Sequence, residues 1–537
     1  MIFSKSWCAP ICSILALLAV AACAEDVETS ATPGGAGAGG SSAGAGGSSA
    51  GAAGASAGAG GSFAGAGGSS AGAGGSSAGA GGASAGSGGA SAGAGGASAG
   101  AGGASAGAGG AAGAGGIAPS MSPEVITLSS LGHDRLYGVA FGAAGAAFAV
   151  GTISDTTEST ADVATIVVKL GADGKIDKSF GTDGVARHNL AVGTSGESAR
   201  GIAVQADGKI VIAATVEHAG AADARDRDIA VARLTPDGKL DATFGAGGVL
   251  TLDLSPGEVV DTSYTADSAW GLGLAPDGKI LVAAAKKADG RADRDHCVVR
   301  VTAAGALDAT YGAAGLACVD VNQQNADPRG LTVLPDGAVL ASGYTRDAAK
   351  VVSPVVYKVT PAGTLDAGFG VGGLFSEVVL PHTTEAYGVA LQGEHIVTVG
   401  YGKGADAEAL DWVSLRLTKD GKLDKSYGTD GAVRVDAAGF NDNGRAVLTL
   451  PDGRVLLVGS GRSSADTSDA MIAILTKDGA LDATFGTGGK VVFDLGGTGD
   501  QFWGAALSPD GKRLLVVGVK GSSATHDDVA VLSVPTP

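Results

Sequence analysis

A recurring position in the sequence carries side chains that could bind planar or charged ligands. Seven positions, 58 to 70 residues apart, hold either an aromatic ring or an arginine. We call them the collar residues: Tyr137, Arg200, Trp270, Arg329, Tyr387, Arg445 and Trp503. Guanidinium groups bind carboxylates through paired N–H donors, and aromatic rings stack on cations and planar groups. The pattern therefore predicts a ligand-binding collar for carbohydrate, peptide or carboxylate partners.

An acidic residue precedes each collar residue by two or three positions. These candidates for an acidic rim are Asp134, Glu197, Asp267, Asp327, Glu385, Asp442 and Asp500. A second interpretation stays open at this point. Each arginine or ring could pack against its neighbours by cation–π stacking, while each acid caps a turn or pairs with an arginine.

The elements that must position these residues follow from internal repeats, which are the strongest pattern after residue 121. One element reads Lys239–Gly245 (KLDATFG) and recurs six times, with Phe or Tyr at its sixth place. A second element is an apolar run, an Asp-Gly turn and another apolar run, as in Gly271–Ala283, and it occurs seven times. We number the repeats one to seven in chain order by this second element.

Each repeat contains four short apolar runs, a to d, and no segment shows helical periodicity. Runs a and b are joined by the Asp-Gly turn, which is typical of two-residue β-hairpins. Four short antiparallel strands per repeat are typical of propeller blades. The sequence thus predicts an all-β fold, a seven-bladed β-propeller of four-stranded antiparallel blades.

The last repeat lacks a fourth run before the chain ends at Pro537. The run Val125–Leu128, just before the first repeat, stands where a d strand would stand. We expect this N-terminal strand to complete blade seven, so that the ring closes without an exposed edge strand.

These repeats resemble the bacterial delta-60 repeats, whose units carry DGK-I, then R-L-x-x-D-G-x-L-D-x-x-F-G, and then a G-V strand. The resemblance covers residues 125–534, although one a–b turn departs and reads Gln392-Gly393-Glu394-His395. It implies a propeller-like extracytoplasmic protein and brings no catalytic residues.

Recurring aspartates in the repeats are predicted to be structural. One set precedes the aromatic of the c–d loop: Asp177, Asp241, Asp308, Asp366, Asp424 and Asp482. A carboxylate there can accept turn N–H groups. A second set stands at the start of strand c: Asp228, Asp295, Asp411, Asp469 and Asp528.

The N-terminus resembles a lipoprotein export signal. Residues 1–22 contain Lys5 and then an apolar run too short to span a bilayer, and Val20-Ala21-Ala22-Cys23 resembles the lipobox of bacterial lipoproteins. Cys23 is the predicted lipidation site. We expect a membrane partner through this lipid anchor, and a cell-envelope location at the outer membrane or cell surface.

Residues 23–121 are predicted to be a disordered, flexible tether, because the segment is almost entirely Gly, Ala and Ser and has too little apolar bulk to form a core. The propeller is assigned to residues 122–537. A formal charge of −18 argues against a nucleic-acid partner, which would need clustered Lys and Arg.

Only Cys297 and Cys318 would remain in the folded domain after export. They fall on adjacent predicted strands and could form a disulfide, which an oxidising compartment permits. The alternative is that they face opposite sides of the sheet, because one lies at a usually apolar position and the other at a usually polar one.

No nucleophile motif, phosphate-binding loop, His-Glu-x-x-His pair or cysteine-based metal spacing occurs, so no catalytic residue, metal ligand or cofactor is assigned. His133 and His526 are expected on one face, although scattered loop histidines seldom bind metal. The b–c loops vary most between repeats, and variable loops on a rigid scaffold are where recognition usually occurs.

We therefore predict a recognition module for a protein or glycan partner. Two alternatives remain. The first is a propeller enzyme of the lyase, glycosidase or quinone-dependent dehydrogenase type with its site at the channel mouth, and the second is a structural envelope protein.

Overall fold

The computed structural model describes residues 121–130, 132–155, 163–191, 196–219, 225–260, 263–405, 408–464, 466–521 and 526–537. The predicted signal segment, Cys23 and the predicted tether lie outside these residues. Within them the regular secondary structure is entirely β, as predicted. No helix of the described residues is long and apolar enough to cross a membrane.

The first strands are one strand that precedes repeat one and the strands of repeats one to three. They are β1 (Glu124–Ile126), β2 (Asp134–Phe141), β3 (Ala147–Ile153), β4 (Ala164–Leu170), β5 (Val185–His188), β6 (Ser198–Val204), β7 (Ile210–Glu217), β8 (Arg227–Leu234), β9 (Val249–Leu252), β10 (Glu258–Val260), β11 (Ser263–Thr265), β12 (Ser268–Leu274), β13 (Ile280–Lys287), β14 (Arg294–Val301) and β15 (Leu316–Val319).

The remaining strands belong to repeats four to seven. They are β16 (Ala326–Val333), β17 (Val339–Arg346), β18 (Val352–Val359), β19 (Leu374–Phe375), β20 (Thr383–Thr384), β21 (Gly388–Gln392), β22 (His395–Lys403), β23 (Asp411–Leu417), β24 (Ala432–Val435), β25 (Asn443–Thr449), β26 (Val455–Arg462), β27 (Ser468–Leu475), β28 (Lys490–Phe493), β29 (Gln501–Leu507), β30 (Arg513–Lys520) and β31 (Asp528–Pro535).

The strands of each repeat pair antiparallel in sequence order, and only the short pairing of β18 with β20 is parallel among the described strands. Four-stranded sheets are formed by β2–β5, β6–β9, β12–β15 and β25–β28, and a fifth has the order β1-β31-β30-β29. Strands β16–β24 form a nine-stranded network in which the short β20 links β18 to β22, and β10 and β11 form a separate ribbon. The predicted four-stranded antiparallel organisation is therefore confirmed.

The middle strands of the sheets are buried on both faces. Every residue of Ala147–Ile153 is buried, which explains why these runs are continuously apolar instead of alternating. Packing crosses from one sheet to the next: Ile212 and Val150 share one apolar cluster. The cluster that contains Ile166 of repeat one also contains Leu515 and Val529 of repeat seven.

The hairpin between strands a and b is longer by one residue than the sequence indicated. In repeat two, Gln205 N donates to Lys209 O and Gly208 N donates to Gln205 O, which makes a three-residue loop. Gly208 has φ +84°, the left-handed conformation that such loops need at their last position. The departing turn at Gln392–His395 is the two-residue hairpin, with Gly393 at φ +62°.

The N-terminal strand lies at Glu124–Ile126, slightly before the predicted Val125–Leu128. It pairs antiparallel with β31, with Val125 opposite Ala530. Thr127 Oγ1 also donates to the Asp528 carboxylate at 2.6 Å. The first and last strands of the described chain thus share one sheet.

The two cysteines of the sheet region are bonded. Cys297 on β14 and Cys318 on β15 lie directly opposite each other, and a disulfide joins them. Because opposite residues of antiparallel strands point to the same face, their different polarity in other repeats did not place them on opposite faces.

Candidate functional site

The collar residues lie inside the first strand of their repeats, at a local irregularity of the ladder. In repeat one the pairing register shifts between Leu136 and Gly138, so Tyr137 is the extra residue of a β-bulge. The same shift occurs at Arg200, Trp270, Arg329, Arg445 and Trp503. Tyr387 differs in that it directly precedes its strand, β21, whereas the other six lie inside theirs. A bulge re-aims a side chain, and here it does so at the same point of six repeats.

The structure brings all seven collar side chains together. Arg200 lies over the rings of Tyr137, Trp270 and Trp503, with 4.4 to 5.1 Å from its Cζ to the ring centroids. Arg329 lies between Trp270 (4.2 Å) and Tyr387 (4.7 Å). Arg445 lies between Tyr387 (4.5 Å) and Trp503 (4.2 Å). Trp503 and Tyr137 meet edge to face at 5.2 Å, so the contacts run through all seven residues and return to the first.

Aromatic rings cover the guanidinium planes of the collar arginines, but not every N–H group of these arginines has a hydrogen-bond acceptor in the described part of the chain. Arg445 is only 9% exposed, and neither its Nε nor its Nη1 has a hydrogen-bond partner among the described residues. The buried hydroxyl of Tyr137 is likewise unmatched there. The collar therefore contains buried polar groups that have no hydrogen-bond partner among the described residues.

The acids predicted as a rim are all buried, either in the loops that lead into the first strands or, for Asp134 and Asp327, at the start of the strand itself. Asp134 accepts hydrogen bonds from the backbone N–H groups of Leu128 and Ser129, both at 2.6 Å. Asp267 accepts those of Leu254 and Ser255 in the same way. The equivalent loops are held by Glu197, Asp442 and Asp500.

Two of these acids contact arginines instead. Asp327 accepts a hydrogen bond from Arg294 at 2.9 Å, and Glu385 lies 3.8 Å from Nε of the collar residue Arg329. Glu385 is thus the acid that the structure places beside a collar guanidinium.

Burial changes the proton affinity of these loop carboxylates. It raises the pKa of Asp134 and Asp500 to about 6, and the pKa of Asp267 and Asp442 to about 7. The backbone N–H donors oppose this rise without cancelling it. The unfavourable desolvation of a buried charge is therefore the larger effect at each of these sites.

Three aspartates of the c–d loop orient an arginine that bonds to the next repeat, in agreement with a structural role. Asp241 accepts from Thr243 and from Arg233 Nε at 2.8 Å, while Arg233 Nη1 donates to the carbonyl of Ala303 in the next repeat. Arg300 with Asp308, and Arg416 with Asp424, make the same bridge.

The structure also assembles side-chain clusters that the sequence analysis did not predict. Among the described residues, four groups of three side chains hold potential ligand atoms within 4.8 Å of one another. The groups are His218/Asp228/Asp253, Asp293/Asp295/Asp320, Asp411/Asp436/Asp442 and Asp469/Asp494/Asp500. A fixed spacing of 25 residues separates the strand-c aspartate from the aspartate after strand d in every group, and that spacing could have identified them.

The two histidines considered for metal binding contact different aspartates. His133 Nδ1 lies 3.1 Å from Asp527, and His526 Nε2 lies 3.4 Å from Asp528. The first contact joins repeat one to repeat seven, and the second lies within repeat seven.

Comparison with known families finds one match, to a family described as "Domain of unknown function (DUF5122) beta-propeller". It covers residues 205–244, 334–369 and 450–485, each of which runs from an a–b turn to the aromatic of a c–d loop. The chain therefore carries propeller-type repeats, as predicted. No curated protein matches the sequence.

Solved structures with weak overall similarity were also found. A protein of unknown function from Dyadobacter fermentans is 14% identical, with a TM-score of 0.39, and the match covers 63% of this chain and 94% of that one. An α-L-arabinofuranosidase from Fusarium graminearum is 11% identical, with a TM-score of 0.37, covering 63% and 92%. The polysaccharide lyase Uly1 is 9% identical, with a TM-score of 0.42, covering 70% and 85%.

Proposed function

We propose that the repeats form a closed, seven-bladed propeller in which the nine-stranded network is two blades joined by β20. The circuit of collar contacts supports closure, because Trp503 of repeat seven stacks on Tyr137 of repeat one. The pairing of β1 with β31 and the apolar cluster shared by Ile166 and Leu515 support it independently.

We further propose that the protein is a cell-envelope lipoprotein, anchored through Cys23, that presents this propeller as a recognition module. The ligand is a glycan or peptide that carries a carboxylate, and it binds at the collar. The observation that carries the proposal is Arg445, whose buried Nε and Nη1 lack acceptors among the described residues.

The charge of the collar favours a negatively charged ligand. Three guanidinium groups converge there in a protein whose net charge is −18. A buried cation with unmatched donors costs several kcal/mol unless an acceptor is supplied, and a carboxylate matches the paired donors of arginine. A ligand with this group would therefore gain both an ion pair and the hydrogen bonds that the fold leaves open.

The shape of the collar favours a ligand that contacts one edge of the stack. Tyr137, Arg329, Tyr387 and Arg445 are buried, whereas Arg200, Trp270 and Trp503 are partly exposed. The accessible rings of Trp270 and Trp503 offer stacking surface next to the arginines. A sugar or aromatic side chain beside the carboxylate would use that surface.

The second candidate function is a purely structural envelope protein, favoured by the fact that the collar residues pack on one another. A propeller enzyme would need an acid, a base or a metal ion at the channel mouth, whereas the acids nearest to the collar are buried in the loops. The binding role explains the unmatched donors, which neither alternative requires.

A glycan array that contains uronic-acid oligosaccharides and their carboxyl-reduced counterparts tests the binding role. We expect the full-length protein to bind the acidic members selectively. Arg445→Met, which keeps the stacked aliphatic stem but removes the donors, should weaken this binding at least tenfold. Arg187→Met, at an exposed ion pair of β5, is the matched control and should bind normally. Equal binding by Arg445→Met and the wild type would refute the proposed site.

The anchor is tested separately by metabolic labelling with a radioactive fatty acid in a bacterial host. The wild type should incorporate label and fractionate with membranes, and Cys23→Ala should do neither. Labelling of the Cys23→Ala protein would reject lipidation at this residue.

A further inference from the structure

The acidic cluster between repeats six and seven differs from its three counterparts in having no basic partner within the part of the chain that the structure describes. It consists of Asp469 at the start of β27, Asp494 just after β28 and Asp500 just before β29. Their ligand atoms lie within 4.8 Å of one another. The three carboxylates come from one sheet and from the loop that leads into the next, so the cluster lies at a junction between repeats.

The other clusters are each neutralised by a side chain. In repeat two, His218 Nδ1 lies 2.9 Å from Asp228 and 3.9 Å from Asp253, and Asp228 raises the pKa of His218. In repeat three, Arg291 donates to Asp293, Asp295 and Asp320 at 2.8 to 2.9 Å. Each of these clusters therefore contains a basic side chain.

Repeat five provides the most direct comparison, because it has the same three carboxylate positions as repeat six. Arg434 on β24 contacts Asp411 from Nε at 2.9 Å and from Nη2 at 2.6 Å. The residue 58 positions later, at the same place on β28, is Val492. The arginine that neutralises the fifth cluster is thus replaced by an apolar residue in the sixth.

Asp469 is the group left without a partner by this replacement. It is 8% exposed, and within the described residues it accepts no hydrogen bond and has no basic group within ion-pair distance. Asp500 is fully buried and accepts backbone N–H groups from Leu495, Gly497 and Gly521. Asp494 is exposed at the edge of the cluster and gives access from solvent.

We infer that Asp469, Asp494 and Asp500 form a binding site for a divalent cation of the calcium type. Calcium prefers several carboxylate oxygens at 2.3–2.6 Å and accepts irregular geometry, as a junction of three chain segments requires. Magnesium demands near-ideal octahedral geometry, and zinc prefers histidine or cysteine ligands, which this group does not contain. The three carboxylates lie close together and repel one another, and a bound cation would relieve this repulsion.

The bound ion would join repeat six to repeat seven. Because an ion that binds only the folded state stabilises it, calcium should raise the melting temperature of the protein. Sites of this kind in extracellular proteins have dissociation constants on the order of 10⁻⁴ to 10⁻³ M.

The test is a thermal melt of the full-length protein, stripped with EDTA and titrated with CaCl₂ or MgCl₂ at pH 7.5, together with calorimetric titration of the same ions. We expect a rise of several degrees at millimolar calcium, a much smaller rise with magnesium, and one calcium bound per chain. Asp494→Asn, at the exposed ligand, should weaken calcium binding at least tenfold and still fold.

Val492→Arg provides the decisive variant, because it copies the arrangement of Arg434 in repeat five. It should be more stable than the wild type without calcium and should lose the response to calcium. Absence of any calcium response in the wild type would overturn the inference. So would an unchanged response in both Val492→Arg and Asp494→Asn, because calcium would then act elsewhere.

Discussion

The guanidinium of Arg434 contacts the carboxylate of Asp411 through both Nε and Nη2, at 2.9 and 2.6 Å. In repeat five the arginine balances the charge of the carboxylate cluster, which is the effect proposed for a bound cation in repeat six. Removal of the Arg434 guanidinium should therefore make the stability of repeat five depend on a bound cation.

Arg434→Val is accordingly expected to lower the melting temperature in EDTA and to recover most of the loss in millimolar calcium. The physical reason is that Asp411, Asp436 and Asp442 would repel one another without the guanidinium. Calcium titration of the melting temperature measures the effect. Arg187→Val is the control, since Arg187 occupies the equivalent place on β5 but repeat one has Ala164 at the position of Asp411. A calcium response equal to that of the wild type would contradict the prediction.

The stability of the protein should fall as the pH rises from 5 to 7.5. Burial raises the pKa of Asp134, Asp267, Asp442 and Asp500 from 3.8 to between about 6 and about 7. The folded state therefore binds more protons than the unfolded state in this interval, and the free energy of unfolding decreases with pH.

The aspartates with lowered pKa do not alter that trend. Asp177, Asp241 and Asp308 are ionised in both states above about pH 5, so their contribution is constant in the interval. Melting temperatures measured in EDTA across the interval test the sign. Asp442→Asn should reduce the slope, and a melting temperature that rises toward pH 7.5 would disprove the assignment.

The pair of Arg233 and Asp241 should matter more for stability than its counterpart in repeat one. Both of these side chains are buried, and the guanidinium also reaches the carbonyl of Ala303 in the next repeat. Asp241→Asn should therefore cost about 3 kcal/mol, the usual effect of breaking a buried pair. Asp177→Asn, at the solvent-accessible pair with Lys169, should cause only a small loss. Urea denaturation of both variants measures the two losses in the free energy of unfolding. Equal losses would argue against a bridge from Arg233 to the next repeat.

The disulfide between Cys297 and Cys318 should contribute to stability by restricting the conformations of the unfolded chain. The cysteines are 21 residues apart, and closing a loop of that size is worth about 3 kcal/mol in the chain-entropy treatment. Urea denaturation with and without reductant should show this difference. A Cys297→Val/Cys318→Val variant should be insensitive to reductant, and a wild type that is equally insensitive would count against the bond.

Much of this architecture could be predicted from the sequence, because repeat spacing and turn residues are local properties. The runs around Gly271–Ala283 predicted strands β12 and β13, and Asp241 was correctly assigned to structure. The bulge that aims Tyr137 inward was not predictable, since the pairing register depends on hydrogen bonds between strands. The register also corrects the alignment of repeat seven. The sequence pattern placed Asp528 in one set with Asp469, but Val529 is the residue that occupies on β31 the pairing position of Asp469 on β27.

The candidate sites were predictable only in part. The recurrence of the collar residues was enough to predict them from the sequence. The contacts of the acids that precede them were not predictable, because they depend on the conformation of each loop. Asp134 accepts N–H groups from residues five and six positions earlier, a contact that requires the loop conformation. The cluster at Asp469 was missed because its importance lies in the absence of a neighbouring arginine, which becomes visible only when repeats are superposed.

The acid beside the collar allows a final test of the recognition proposal. Glu385 lies 3.8 Å from Nε of Arg329 and competes with any bound carboxylate for the collar charge. Glu385→Gln should therefore strengthen the binding of uronic-acid oligosaccharides several-fold, with a steeper dependence on salt, because one opposing charge is removed. Glu197→Gln is the matched control. Glu197 is the acid that precedes the collar residue of repeat two, but it accepts hydrogen bonds from Thr165 and the backbone of Ala191, so its replacement should lower stability and leave affinity unchanged. Calorimetric titration of both variants with one acidic oligosaccharide distinguishes the two effects. If Glu385→Gln binds no more tightly than Glu197→Gln, the charge of the collar does not determine ligand binding, and the structural function becomes the better interpretation.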